Sequence, residues 1–407
     1  MGSWDCYCAI CGGPFSTCSV AQKPRSARFF RRHGISQPQS SSSSQAEEST
    51  EDDHADTTAE TGDDGTASEA PIEEITAEDK EEDGSYDPDV ISPRQTAWLD
   101  DLHVLMTTED EDTGEQVGCI SGVGGYGDSA QVYNLDEGDD PNFDPETEVV
   151  LYDGSLPFHW PCFEILGTVL EGKAGINGLN KLKLYRVMMQ AHPMFSSRLD
   201  RLDYGNPGPP NEQWWCYEAG KEFIVIHPTI RFKKTTALIR DRWMKSIQVV
   251  SPSDRVRRCS TDTFQKLPLE LLLNICNKLT PISLFQLALA SPAVDALLGD
   301  KPFWKQYLPI QMPWSFELIS LFDDESQTLF QNVDYKSLVR WVDQEATPRL
   351  FMRGPLMSIA NRRRIWHVCE QIEGVYSGRA KFQLTEAEMR RMNERRVRMG
   401  MAPLTRE

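Results

Sequence analysis

The chain has 407 residues and a formal net charge of −20, with 42 Lys/Arg against 62 Asp/Glu and 39% hydrophobic residues. That length accommodates two or three domains, each with a core of its own. No run of 18 apolar residues occurs, so no membrane-spanning helix is expected, and the opening MGSWDCYC lacks the apolar centre of a secretion signal.

The charge is local. From Glu47 to Asp89 there are nineteen Asp/Glu and one Lys, a net −18, which leaves only −2 for everything else. The acidity therefore says little about partners of the folded part. N-myristoylation after Gly2 would need Ser or Thr where Cys6 stands. Ten cysteines without an export signal read as reduced thiols or metal ligands, not disulfides. These features predict an intracellular protein, cytoplasmic or nuclear.

Residues 1–35 form a Cys-rich segment with Cys6, Cys8, Cys11 and Cys18. Cys8-Ala9-Ile10-Cys11-Gly12-Gly13 has the form of a zinc knuckle: two thiolates at this spacing grip one tetrahedral ion, and the glycines let the backbone turn toward sulfur. A structural zinc site needs two further ligands. Cys6 and Cys18 are candidates by proximity. A better second half is His159-x-x-Cys162, which opens an apolar helical pattern through Phe163, Ile165, Leu166, Val169 and Leu170. A cysteine at a helix N-terminus is biased to thiolate, the form that binds metal. The set Cys8, Cys11, His159 and Cys162 would make a structural Cys₃His site with zinc as cofactor.

Lys23–Arg32 is basic and encloses Phe29-Phe30; it reads as a solvated flank more readily than as a nucleic-acid patch. Residues 36–95 are Ser-rich, then acidic, and poor in aromatics, the composition of a disordered tract. Residues 96–230 form a β-rich and then helical module. Leu102–Met106, Val117–Ile120, Gln131–Tyr133 and Val149–Tyr152 read as strands of a small antiparallel sheet that holds the knuckle. Gly122–Gly127 lacks the register of a nucleotide loop and reads as a turn. Leu179–Ala191 reads as an amphipathic helix burying Leu182, Tyr185, Met188 and Met189, and Glu222–His227 as a strand. Tyr204–Asn211 reads as a Gly/Pro-rich connection, and 231–262 as a basic and polar linker.

Residues 263–308 pack three short helical patterns and an aromatic stop into one stretch. Pro268 suits a first helical turn, with Glu270 complementing the dipole. Leu271, Leu272, Ile275 and Leu279 recur at helical spacing. Thr280-Pro281 breaks the pattern and Ser283 can cap the next helix, which shows Leu284, Leu287 and Ala288 on one face and Phe285 and Leu289 on another. Ser291-Pro292 interrupts again before Val294, Leu297 and Leu298; Gly299-Asp300 then turns the chain into Phe303-Trp304. Such a short unit cannot bury all of this apolar surface internally. The excess marks contact with the rest of the chain or with a partner.

These residues resemble the F-box, the module that docks the Skp-type adaptor of cullin–RING (SCF) ubiquitin ligases. The resemblance rests on Leu267, Pro268 and Glu270, the Leu/Ile stripe, the second Leu-rich helix and the closing Phe303-Trp304. It departs at Ser291-Pro292-Ala293, where many F-boxes carry a Cys or a basic/Trp cluster. With Trp4-x-Cys6-x-Cys8-x-x-Cys11-Gly12-Gly13 and Phe158-His159-x-x-Cys162, the chain is similar to a group of fungal F-box proteins. The resemblance implies adaptor contact through Leu267, Pro268, Leu271, Ile275, Leu279, Leu284 and Leu287, with Phe303 and Trp304 closing the module.

Residues 309–407 read as a C-terminal helical region. Asp334–Val342 buries Tyr335, Leu338, Val339 and Val342; Leu356–Tyr376 buries Ile359, Ile365, Trp366, Val368, Cys369, Ile372 and Tyr376. Arg362-Arg363-Arg364 reads as a solvated face of that helix. Thr385-Glu386-Ala387-Glu388 is a capping box opening a last, basic helix.

The expected fold class is α+β: a small antiparallel sheet with a zinc knuckle, a disordered acidic insert, a three-helix F-box and a C-terminal helical region. No nucleophile–base pair, phosphate loop or paired carboxylates stand at chemical spacing, so no enzymatic activity is expected. The expected function is a substrate-recognition subunit of an SCF ubiquitin ligase that presents an unknown protein substrate. The other class considered is a zinc-dependent nucleic-acid-binding or regulatory protein using Lys23–Arg32 and the C-terminal arginines.

Overall fold

The computed structural model describes residues 6–15, 20, 86–110, 113–126, 131–133, 136, 138–144, 149–150, 154–191, 199, 201–205, 215, 217–229, 232–245, 262–323, 334–381 and 390. Cys18, Lys23–Arg32, the acidic tract from 36 to 85 and the capping box at Thr385 lie outside the described residues.

The architecture is mixed helix and sheet. Among the described residues six strands run β1 Leu102–Glu109, β2 Gln116–Ile120, β3 Gly125–Tyr126, β4 Gln131–Tyr133, β5 Val149–Val150 and β6 Ser155–His159. They form two three-stranded antiparallel sheets, ordered β2-β1-β6 and β3-β4-β5. β1 is the central strand of the first: Leu105 faces Ile120 on one side, and Leu102 faces His159 on the other. Its first four residues are all buried, so it reads as a covered strand instead of an alternating one. Asp110 turns the β1–β2 hairpin by accepting N–H bonds from Thr113 through its side chain and from Gly114 through its carbonyl.

Among the described residues ten helices of six or more residues follow: α1 Trp160–Glu171, α2 Lys181–Gln190, α3 Phe232–Lys245, α4 Leu269–Cys276, α5 Pro281–Ala290, α6 Pro292–Leu297, α7 Lys301–Gln311, α8 Phe316–Asp323, α9 Tyr335–Glu345 and α10 Met357–Tyr376. Prolines at the first turn of α1, α5, α6 and α7 sit where the missing N–H costs nothing. Thr280, not Ser283, caps α5, its hydroxyl accepting the Ser283 N–H. Ser291 caps α6 and also bonds Asp262, so one hydroxyl ties two turns together.

α4 to α7 close on an aromatic centre. Trp304 is fully buried, packs on Phe285, Phe303 and Tyr307, and donates its indole N–H to Leu298 O at 2.8 Å. Tyr307 OH reaches back to Leu279 O and Gln311 to Asn277 O, locking α7 onto the end of α4. α8 then packs on α7 and α3, and α3 also meets α9. α10 is the axle of the molecule: it packs against α1, α2 and residues 222–225. One continuous apolar cluster runs from the N-terminal cysteines through the sheet and α4–α9 to Ile372.

Several expectations change. Residues 86–95 belong to the packed body, not to the acidic tract: Tyr86 and Ile91 are buried, and Ser92 and Gln95 form a capping box. Residues 232–245, expected as linker, form α3, with Thr235 and Ile239 buried among exposed basic residues. Glu222–Val225 is a buried 3₁₀ turn in place of a strand. Among the described residues no strand lies beside its β-branched run; instead Trp98 Nε1 donates to Val225 O at 2.9 Å and Asn361 Nδ2 to Ile226 O at 2.7 Å. α2 buries Leu184, Val187 and Met188, a face turned from the expected one, with Leu182, Tyr185 and Met189 only half-buried. Gly125 and Tyr126, expected in a turn, form β3. Tyr204, expected in a connection, is buried.

The largest correction concerns Arg362, Arg363 and Arg364. Arg362 and Arg364 are buried, and Arg363 is half-buried. Arg363 bonds Asp343 and stacks on Trp314. The three are internal connectors.

Candidate metal centre

The N-terminal loop is shaped by its own backbone hydrogen bonds. Cys8 N–H donates to Gly13 O at 2.9 Å and Gly12 N–H to Cys8 O at 2.8 Å. This tight return needs Gly12 at φ +68, a left-handed conformation that disfavours a side chain. Within the loop, Cys11 N–H points at Cys8 Sγ at 3.4 Å and Gly13 N–H at Cys11 Sγ at 3.3 Å. Backbone donors aimed at sulfur favour the thiolate.

The loop is then fastened to the sheet. Ala9 N–H donates to Pro157 O of β6 at 2.8 Å, and Tyr204 OH donates to Ala9 O at 2.9 Å. β6 ends at His159, and Cys162 follows in the first turn of α1. Pairing of β6 with β1 sets the depth of His159 beneath the Trp98 and Phe15 rings, whose centroids lie 4.5 and 4.6 Å from the imidazole.

The result brings Cys8, Cys11, His159 and Cys162 together, all buried, with one donor atom each and all four atoms within 4.8 Å of one another. Bonds of about 2.0–2.3 Å from a tetrahedral ion to nitrogen and sulfur put donors under about 4 Å apart, so small movements close the set. His159 Nε2 lies 3.0 Å from Pro14 O, which can only accept, so Nε2 carries the hydrogen. Nδ1 then faces Cys11 Sγ at 3.5 Å and, once its proton is displaced, is the atom that would bind an ion.

The electrostatics agree with a place for a cation. Burial pushes the His159 imidazole down, but the Cys8 and Cys11 thiolates beside it reverse this and hold it up at about 10. Burial also opposes ionisation of Cys11, yet hydrogen bonds from Cys162 and Cys8 and the charge on His159 hold it well below the ordinary thiol value. Burial and the neighbouring Cys11 push Cys162 well above that value. The pocket thus pairs a Cys11 thiolate with a protonated His159 while Cys162 keeps its proton, and binding of a metal ion would displace those protons.

Of the sequence-expected ligands the structure gathers Cys8, Cys11, His159 and Cys162. Cys6 is buried nearby but outside the set, and Cys18 lies outside the described residues. Sequence reading missed the supports: Pro14, Trp98, Tyr204 and Arg364, whose Nη1 donates to Cys11 O at 2.6 Å. None carries a local signal, because each reaches the loop through tertiary contact.

Gly12→Ala is expected to loosen the loop. The new Cβ would lie 2.9 Å from the Tyr204 ring and force φ +68 on an L residue. The backbone penalty alone is about 1–2 kcal/mol. Chelator competition and thermal melting should both show it; unchanged metal retention would contradict this account of the loop.

The residues expected to meet an adaptor divide in two. Pro268, Leu271 and Ile275 are exposed and Leu267, Leu279 and Leu287 half-buried, whereas Leu284, Phe303 and Trp304 are enclosed by the chain itself. Those last three are therefore core, not contact surface. In exchange, Leu269, Ile282 and Leu289, which the expected contact set omits, stand exposed.

Among the described residues no helix is long and apolar enough to cross a membrane. No protein-family model, curated protein or solved structure matches the chain.

Proposed function

We propose that the chain is a non-enzymatic substrate-recognition subunit of an SCF-type ubiquitin ligase, docking the Skp-type adaptor through residues 263–308 and presenting an unidentified protein substrate. The observation that carries this reading is exposed apolar surface on one helical hairpin. Leu269, Leu271 and Ile275 of α4 are 58%, 50% and 37% exposed, and Ile282 and Leu289 of α5 are 66% and 79% exposed. Leu271 and Ile275 lie one turn apart on α4, and Ile282 and Leu289 two turns apart on α5, so each pair shares a face. The opposite faces, with Leu272 and Cys276 on α4 and Leu284, Phe285 and Ala288 on α5, are already satisfied inside. Scattered single leucines need no explanation, but five large ones on two adjoining short helices favour a protein partner. The F-box resemblance of the same stretch names which one.

We further propose that the metal centre is a structural zinc site. Three thiolates and an imidazole in a closed set suit zinc, and the ligand spacing is that of a knuckle. Purified protein should hold one equivalent of zinc.

The test of docking is co-purification with the adaptor. Leu271→Ala/Ile275→Ala is expected to weaken adaptor binding tenfold or more, since losing interface anchors costs more than about 1 kcal/mol each. Folding should change less than adaptor binding, because both side chains are already partly in water, 50% and 37% exposed. Leu267→Ala/Pro268→Ala, at the start of α4, is expected to act in the same direction. Equal adaptor recovery from wild type and both variants would sink the assignment.

A further inference from the structure

α10 buries two guanidinium groups, and their surroundings differ. Arg362 meets a carboxylate, Glu317. Arg364 meets none among the described residues. Its Nε and Nη2 donate to Asn361 Oδ1 at 3.1 and 2.9 Å, and its Nη1 donates to Cys11 O at 2.6 Å and Tyr204 O at 3.1 Å. All of these acceptors are neutral. The nearby Glu370 carboxylate is exposed and bonds Trp366 Nε1 instead. A buried cation with only neutral partners is costly unless opposite charge lies close by.

We infer that Arg364 is the counter-ion of the metal centre, offsetting the −1 charge of a divalent ion held by three thiolates and a neutral imidazole. This rests on the reading of Cys8, Cys11, His159 and Cys162 as a metal site. Three thiolates and one divalent ion sum to −1, and the Arg364 guanidinium neutralises the pair. The bond to Cys11 O brings the cation to the backbone of a ligand without touching its sulfur, so the ligand set stays complete. Cys369, five residues further along α10, feels both partners. Burial first, then the Cys8 and Cys11 thiolates and Glu370, push its thiol up, and the Arg364 guanidinium opposes them. Gly205 leaves room for the arginine stem, since a Cβ there would lie 3.3 Å from Arg364 Cγ.

The experiment uses the full chain loaded with Co²⁺ alone, comparing wild type, Arg364→Lys and Arg364→Met. Arg364→Met is expected to lower Co²⁺ affinity tenfold or more in chelator competition, with Arg364→Lys recovering most of it. Removing a cation near sulfur raises the filled thiolate orbitals. The thiolate-to-cobalt charge-transfer band should therefore move to longer wavelength in Arg364→Met, while the ligand-field bands keep their tetrahedral form. A residue that only packs the loop would not move that band. On a Cys162→His background the site is neutral, and the affinity effect of Arg364→Met should shrink to threefold or less. An equal loss on both backgrounds, or an unmoved band, overturns the counter-ion role and leaves the metal site standing. If wild type binds no Co²⁺, the metal reading and the counter-ion fall together. If Arg364→Met does not fold, Arg364→Lys decides: it should keep wild-type affinity and band position, and a tenfold loss there overturns the charge argument.

Discussion

Stripping metal from the pure protein at neutral pH is expected to unfold the body around the sheet, not merely release residues 6–15. The four donors join the N-terminal loop, the end of β6 and the first turn of α1. The loop in turn supports Tyr204 and Arg364, and through Arg364 it holds α10. Structural zinc contributes roughly 10–16 kcal/mol in isolated fingers, while whole proteins are stable by only about 5–15 kcal/mol. Even a fraction of that contribution is decisive here. Each 1 kcal/mol shifts the melting temperature by about 2–4 °C at around 200 residues, so a loss of several kcal/mol should lower it by more than about 10 °C. Circular dichroism melts, with released metal counted in the same sample, measure this. Cys8→Ser, Cys11→Ser and Cys162→Ser should each behave like the stripped protein. An unchanged melt after stoichiometric metal removal would overturn the structural role.

Arg362→Met is expected to destabilise the chain by about 3–5 kcal/mol, the cost of leaving one member of a buried ion pair alone. Arg362 is fully buried at the meeting point of three segments. Its Nε donates to Trp314 O at 2.7 Å, its Nη1 to Pro228 O at 3.1 Å, and its Nη2 to the Glu317 carboxylate. The guanidinium also lies 4.5 Å above the Phe316 ring. Without it, Glu317 remains 2% exposed with no compensating charge. Arg362→Met/Glu317→Leu should recover much of the loss, because two apolar groups of similar volume ask for no partner. Urea unfolding of the two single variants and the double variant gives the coupling directly. Simple additivity would mean that the pair is not what holds α8 and the 226–228 segment to α10.

Both outcomes concern features read with unequal success from the residues. The knuckle was legible because its chemistry is local. Two cysteines at a two-residue gap followed by glycines specify a turn whose donors converge, and the structure forms that turn. His159 and Cys162 were legible as its partners because their spacing repeats the pattern. The helices α4 to α7, α9 and α10 follow from period and from proline punctuation, both backbone effects that act within a few residues. The strands β1, β2, β4 and β5 were signalled by short apolar runs between turn residues, whereas β6 was hidden by Pro157 and by its direct run into α1.

What failed to read was the environment of polar and ambiguous residues. Arg362, Arg363 and Arg364 have the composition of a wet helix face, and nothing in their neighbours betrays Glu317 or Asp343 in other helices or a carbonyl in the N-terminal loop. The 222–227 run has strand composition, but a strand exists only where another strand lies beside it, and here Trp98 and Asn361 meet its carbonyls first. Leu284 and Leu289 share a helix and a residue type; one is fully enclosed and the other 79% exposed.

By itself, the order of residues determined which segments coil, where they stop, and which thiols and imidazole are equipped to bind an ion, because those depend on sterics and donor chemistry within a turn or two. Only the tertiary structure decided which charges are buried, which leucines remain in water, and which distant groups close on one another. Those outcomes depend on what packs opposite, and a single side chain carries no record of its eventual neighbour.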